Sequence, residues 1–135
     1  MSSVNIVMQR GNLTRDPEVK YSTKGIPIVH FSIAVSRKYR KQDGELKEEV
    51  SFFDVEAFGT QAKSCGDYLI KGSDVLVEGR LRQDRWENQE GQRRNKVLIR
   101  ADRVHFLGRT RLNEERKSEY NAPSDDNMEE RAPVF

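Results

Sequence analysis

The sequence predicts a small all-β barrel of five strands, with one short helix between strands 3 and 4. Three observations carry this prediction. Apolar and polar residues alternate at period 2 in five segments before Gly108, which is typical of strands with one buried face. A segment between the third and fourth of these has near-helical apolar spacing. After Gly108 the periodicity ends, so we expect a barrel over residues 1–108 and a disordered acidic tail over residues 109–135.

The first two strands follow from alternation alone. Val4, Ile6 and Met8 form one alternating row of a first strand, which ends near the turn signals at residues 11–12 or 16–17. The second strand spans residues 28–37. Its core row is Val29, Phe31, Ile33 and Val35.

The middle of the barrel domain contains a polar segment, a strand and the helix. Residues 38–49 hold the turn signal Asp43-Gly44 and predict a long hairpin loop. The third strand, residues 50–58, is β-branched and aromatic, with Phe53, Val55 and Ala57 as its core row. Residues 59–71 then predict a short helix, with a glycine just past its end.

Two further strands complete the predicted barrel. The fourth spans residues 74–86, with Val75, Val77 and Leu81 facing the core around Gly79, which marks a bulge or bend. The fifth spans residues 96–107 and changes phase after its inward row of Val97, Ile99 and Ala101. This order of strands and helix is that of the oligonucleotide-binding barrel, although other small barrels share the strand count.

The charge of the chain is distributed unevenly. The formal net charge is +2, but residues 118–135 carry five acids and one base, so the tail is acidic and the body basic. A basic body indicates a polyanionic partner, while a pattern that serves only solubility is the alternative. Cys65 is the single cysteine, and the N-terminus lacks the features of a signal peptide. We therefore expect a cytoplasmic, nucleoid-associated protein.

Two predicted strands place aromatic side chains on the face opposite the core. Phe52 and Phe58 share that face with Asp54 and Glu56, and Trp86 falls in the outward row of the fourth strand. Exposing a large aromatic side chain forgoes roughly 1.5 to 3 kcal/mol of burial energy. Stacking on nucleic-acid bases offers about 1 to 3 kcal/mol per base with little sequence preference, so base stacking is the function we assign to these residues.

Basic residues interleave with the aromatic ones. Arg80, Arg82 and Arg85 precede Trp86 in the fourth strand and are predicted to contact phosphates. Tyr39 lies between Lys38 and Arg40, so we predict base stacking by Tyr39 and phosphate contacts by Lys38 and Arg40. Other readings remain open: Phe58 in the core, Phe52 in a subunit interface, Trp86 packed at a hairpin tip, and the segment around Tyr39 as a solvated loop.

Residues suited to catalysis are sparse. His30 and His105 lack ligand-like spacing, and Cys65 has no recognisable base in a supporting motif. Carboxylates on a shared strand face are more often solvated charges than an acid/base pair. We predict no enzyme activity, no metal and no cofactor.

Several short motifs resemble the bacterial single-stranded DNA-binding protein family over about residues 4–108. In order they are Gly11-Asn12-Leu13, Asp16-Pro17-Glu18-Val19, Phe58-Gly59, Tyr68-Leu69, Lys71-Gly72, Val77-Glu78-Gly79 and Leu81-Arg82, followed by Trp86. The resemblance implies a homo-oligomer, usually a tetramer, that coats single strands and recruits replication and repair proteins. It also implies stacking by Tyr39, Phe52, Phe58 and Trp86, and backbone contacts from Lys71, Arg82 and Arg85.

The chain departs from the family pattern at some of these places. Tyr39 and Phe52 stand where many members have tryptophan, and Asp84 stands where a basic residue is common. In the tail, the resemblance implies partner docking by an acidic run and an apolar tip. The corresponding residues are Asp125, Asp126, Glu129, Glu130, Pro133 and Phe135, interrupted by Arg131. A tail that only increases solubility is the alternative.

Two other functions use the same features. An adaptor whose barrel and tail bind proteins would lose its principal interaction without residues 118–135, whereas a coating protein would keep its DNA binding. A cold-shock type of RNA-binding barrel has a compact aromatic cluster that this sequence lacks.

Overall fold

The computed structural model describes residues 3–108, which form six strands and one helix. The elements are β1 (Val7–Leu13), β2 (Glu18–Tyr21), β3 (Pro27–Arg40), β4 (Leu46–Phe58), α1 (Gly59–Tyr68), β5 (Asp74–Glu87) and β6 (Arg93–Phe106). No helix in this part of the chain is long and apolar enough to cross a membrane. The predicted tail, residues 109–135, lies outside the described residues.

Five of the strands close into a barrel. They are hydrogen-bonded in the order β1-β5-β6-β4-β3, and β1 pairs again with β3 through Leu13 and Ile33 to close the ring. The β4–β6 pairing is parallel and the others are antiparallel. The predicted five-stranded barrel, with its helix between the third and fourth barrel strands, is confirmed.

A sixth strand, β2, was not predicted. Its four residues pair with β3 from Glu18 opposite His30 to Tyr21 opposite Pro27, outside the closed ring. The segment is short and mostly exposed, so it has no extended alternation of apolar residues to reveal it. Only the backbone pairing with β3 identifies it as a strand.

The core is built from the alternating rows of β3, β4 and β5. Their fully buried members are Val29, Phe31, Ile33, Val55, Ala57, Val75 and Val77, which confirms the predicted inward faces. Ala62 and Cys65 of α1 and Leu69, just after the helix, join the same cluster. Each large apolar side chain buried in this way contributes roughly 1.5 to 3 kcal/mol.

The inward row of β1 is the odd-numbered one, and the alternating row of Val4, Ile6 and Met8 lies outside the core. Val4, Ile6 and Met8 are 86, 80 and 59% exposed, whereas Gly11 and Leu13 are buried. The strand begins only at Val7, and its pairing with β3 at Leu13 turns the odd-numbered side chains inward. The period-2 alternation predicted a strand here, and the pairing with β3 decides which of its two rows faces inward.

The β3–β4 hairpin is longer than the sequence suggested, and its loop is correspondingly shorter. The strands stay paired as far as Arg40 and Leu46, so the predicted loop over residues 38–49 shrinks to residues 41–45. Gly44 closes this turn with a φ of 85°. Backbone pairing needs no apolar side chains, which is why a polar segment forms strand here.

The β5–β6 hairpin projects in the same way. The pairing of β5 with β1 ends where Gly79 meets Val7, and beyond that point β5 pairs only with β6, as far as Glu87. Leu81 and Val97, both predicted in the core, are consequently 48 and 53% exposed. Their parity follows the prediction, but the barrel has no opposing wall to cover them.

A β-bulge lies where this hairpin leaves the barrel. Glu78 pairs with Arg103 and Gly79 pairs with Ala101, so Asp102 is an extra residue on β6. This insertion is the phase shift predicted in the fifth strand. The backbones approach so closely that a Cβ on Gly79 would lie 2.1 Å from the carbonyl oxygen of Arg100.

Candidate nucleic-acid interface

One outer side of the barrel collects the side chains that alternate with the core rows, and we call it the outer face. β4 contributes Phe52, Asp54, Glu56 and Phe58, and β5 contributes Arg80, Arg82, Asp84 and Trp86. β6 contributes Arg94, Lys96 and Arg100, and β3 contributes His30 and Ser32. Residues paired across neighbouring strands project to the same side, so these side chains form one continuous surface.

Three predicted stacking residues lie on the outer face. Phe52 is 68% exposed and Trp86 is 48% exposed, so both present ring surface to solvent. Phe58 is half-buried, and the Arg100 guanidinium lies 4.3 Å from its ring centroid. Phe58 therefore belongs partly to the barrel wall and is covered by a cation, whereas Phe52 and Trp86 are open.

Tyr39 is not on this surface. It pairs with Lys47 in the β3–β4 hairpin and has the opposite parity from its neighbours Lys38 and Arg40. Its ring lies 5.1 Å from the Arg37 guanidinium carbon. The structure thus places Lys38 and Arg40 on the side of Phe52 and places Tyr39 on the reverse side of the same hairpin.

A buried carboxylate organises the centre of the outer face. Glu56 is only 7% exposed, and its two oxygens lie 2.7 Å from His30 Nε2 and 2.7 Å from Arg82 Nη1. Arg82 also donates two hydrogen bonds to Asp84, at 3.0 and 3.3 Å. These contacts, the one to Glu56 above all, raise the pKa of Arg82 above its ordinary value.

The pairing of Arg82 bears on its predicted role as a phosphate contact. Both ends of its guanidinium already face carboxylates, and its side chain is only a third exposed. Burying the Glu56 carboxylate without a cation beside it would cost folding free energy. The fold is therefore more stable when Arg82 stays against Glu56. Its first role in this structure is to neutralise Glu56.

Asp54 lies between Phe52 and Glu56 on β4. The Ser32 hydroxyl donates a hydrogen bond to it, and Lys96 Nζ lies 2.9 Å from its other oxygen. The Ser32 bond and then Lys96 lower the pKa of Asp54 below its ordinary value. Asp54 is therefore a carboxylate at neutral pH, with its side chain 44% exposed.

The remaining predicted phosphate contacts are dispersed. Arg80 is on the outer face, with Asp102 3.6 Å away. Arg85 has the opposite parity and donates to Gln83 at 2.9 Å, so it does not join Trp86. Lys71 follows α1 outside the four strands, where its backbone N–H donates to Asp16. The predicted docking residues, Asp125, Asp126, Glu129, Glu130, Pro133 and Phe135, lie outside the described residues.

Three basic residues on β6 were not predicted. Arg94 pairs directly with Trp86, while Lys96 and Arg100 follow it on the same side of the strand. The sequence indicates this placement, because an inward row of Val97 and Ile99 requires the even-numbered residues of the strand to face outward. The alternation that places Phe52 and Trp86 outward places these three basic residues outward as well.

Residues considered for catalysis do not come together. Burial raises the pKa of the Cys65 thiol to about 12, so it stays protonated. His30 contacts Glu56, while His105 lies 3.4 Å from Glu78. Within residues 3–108 no group of three or more His, Cys, Asp or Glu side chains is arranged to hold a metal ion.

Comparison with known proteins supplies the family. Residues 4–107 match the single-strand binding protein family. The chain belongs to this family. It is 50% identical over 108 residues to the single-stranded DNA-binding protein of Treponema pallidum, covering 80% of this chain and 60% of that protein. The corresponding protein of Aquifex aeolicus is 44% identical over 106 residues, covering 78% of this chain and 71% of the relative.

A solved structure extends the comparison to the fold. A chain of a Plasmodium falciparum SSB complex with ssDNA superposes with a TM-score of 0.73 at 24% identity, covering 79% of this chain and 97% of that one. It supports the barrel fold described above. The curated relatives bear the names of DNA-binding proteins and not of enzymes, which agrees with the prediction of no enzyme activity.

Proposed function

We propose that this chain binds single-stranded DNA with little sequence preference and protects it during replication, recombination and repair. The observation that carries the proposal is the outer face, where exposed Phe52 and Trp86 lie beside the basic side chains of β6. Aromatic rings provide stacking surface for any base, and arginine or lysine neutralises the phosphates between bases. Membership of the single-strand binding protein family supports the same function.

The division of contacts follows from the geometry of the outer face. Phe52 and Trp86 are the stacking residues with open rings, and Phe58 offers a partly covered third surface. Arg94 and Arg100 contact phosphates, because Arg94 lies beside Trp86 and Arg100 lies beside Phe58. The basic surface extends along the β3–β4 hairpin through Lys38 and Arg40. It also includes Arg80, which lies where the β5–β6 hairpin leaves the barrel.

We further propose that the chain acts as a homo-oligomer, with a tetramer as the expected assembly. Val4, Ile6, Met8 and Leu81 expose apolar area of the kind that an interface between subunits covers. Asn5 fixes this segment against β5, because its amide both accepts from Leu81 N–H at 2.9 Å and donates to Leu81 C=O at 2.8 Å. The predicted cytoplasmic, nucleoid-associated location and partner recruitment by the tail belong to the same proposal.

Two variants separate stacking from phosphate neutralisation. Trp86→Ala is expected to weaken binding to an oligonucleotide about tenfold at low and high salt alike, because stacking is not screened. Arg94→Ala is expected to weaken binding at about 50 mM salt and to lose most of this effect at higher salt. Fluorescence anisotropy of a labelled oligonucleotide measures both.

The salt slopes provide the control for this pair. Arg94→Ala should flatten the dependence of log affinity on log salt by about one phosphate contact, while Trp86→Ala should leave the slope unchanged. Equal losses for both variants at every salt concentration would contradict the proposed division.

A further inference from the structure

The outer face contains a feature that generic binding of a polyanion does not need. Carboxylates lie in its interior, between the open rings at one end and Phe58 at the other. Asp54 is two residues from Phe52 on the same side of β4, which is about 6.6 Å along the strand. A base stacked on Phe52 therefore has its edge within reach of the Asp54 carboxylate.

Resting on the proposed function, we infer that Asp54 is a specificity-determining residue that accepts a hydrogen bond from the amino group of a base next to Phe52. The chemical class it favours is a base with an exocyclic amino group, above all cytosine through its N4. Aspartate accepting from cytosine N4 is an established pairing of side chain and base. Thymine and uracil present a carbonyl oxygen at the same position, which cannot donate a hydrogen bond to the carboxylate.

The geometry of Asp54 suits this task. The side chain is 44% exposed, so a base can reach it, and it is held from two sides. Ser32 on β3 donates to one oxygen and Lys96 on β6 lies 2.9 Å from the other, which fixes the carboxylate before DNA arrives. Each carboxylate oxygen has a second lone pair, so these contacts leave acceptor capacity for a base.

Lys96 does not provide the same discrimination. Its ammonium is engaged by Asp54, and the O2 oxygen that every pyrimidine carries is open to it equally in cytosine and uracil. Selection of an amino group at position 4 of the ring requires an acceptor, which Asp54 is and Lys96 is not.

The test compares deoxycytidine and deoxyuridine oligomers of equal length with the full chain at one salt concentration. These bases differ in the amino or carbonyl group at position 4 and the matching N3 protonation, so differences in stacking area are small. We expect the wild-type chain to bind the deoxycytidine oligomer about fivefold more tightly. Asp54→Asn is expected to bring the ratio of the two affinities close to one, because its amide group also donates to a carbonyl oxygen.

Asp67→Asn is the matched control, since it removes the same charge from an exposed position on α1. It should keep the wild-type ratio. Equal affinity of the wild-type chain for both oligomers would overturn the inference while leaving the proposed function intact, and that comparison needs no variant. An unchanged ratio in Asp54→Asn would also overturn it, and tighter binding of deoxyuridine would assign base reading to Lys96. Failure to bind either oligomer would overturn the proposed function and this inference with it.

Discussion

Gly79→Ala is expected to lower the free energy of unfolding by about 3 kcal/mol, the upper range for overpacking. A Cβ at this position would lie 2.1 Å from the carbonyl oxygen of Arg100 and 2.9 Å from the Cα of Ala101. Both atoms belong to the backbone of β6, so no side-chain rotation relieves the clash. The strands would have to separate at the bulge from which the β5–β6 hairpin projects. Urea denaturation followed by circular dichroism measures the loss.

Gly44→Ala is the matched control for this prediction. Gly44 has a φ of 85°, and a Cβ at this position would have no atom within 4 Å beyond its two chain neighbours, so alanine there meets backbone strain without a clash. We expect a cost of about 1 kcal/mol. If Gly79→Ala cost no more than Gly44→Ala, the close approach of β5 and β6 would not be as described.

Arg82→Ala is expected to reduce stability by about 2 kcal/mol. Removing one partner of a buried ion pair costs roughly 3 to 5 kcal/mol, and we take a lower value because the Arg82 side chain is a third exposed and water can enter. His30 remains beside Glu56 and offsets part of the loss. The same denaturation experiment measures the change.

Arg80→Ala is the control for Arg82→Ala. The Arg80 side chain is 57% exposed and its nearest carboxylate is 3.6 Å away, so we expect a loss below about 0.5 kcal/mol. An Arg82→Ala variant as stable as the wild type, with weaker DNA binding, would show that Arg82 contacts phosphate rather than supporting Glu56.

Much of the barrel was predictable because its inner rows are strictly periodic. Phe31 and Val55 needed only the alternation of their neighbours to be placed in the core, and the same alternation placed Phe52 and Trp86 outside. The phase shift before Val104 was visible for the same reason. One buried face imposes one pattern, and a sequence shows that pattern directly.

The remaining features depend on partners that a single segment does not reveal. The alternation along β1 defines an odd-numbered and an even-numbered row of side chains. Only the pairing with β3 decides that Leu13 and not Met8 faces inward. The arms of both hairpins are held by backbone hydrogen bonds, so Leu81 can lie on the inward side without being covered. The engagement of Arg82 by Glu56 joins residues from different strands, which composition and spacing do not link.

Stacking of bases on the outer face is reported directly by Trp86, the only tryptophan in the chain. The measurement is the intrinsic fluorescence of the full chain during addition of oligothymidine, with anisotropy of a labelled oligonucleotide recorded in parallel. We expect a saturable quenching of Trp86 that follows the anisotropy curve. Binding detected by anisotropy with unchanged Trp86 emission would contradict base stacking on the outer face.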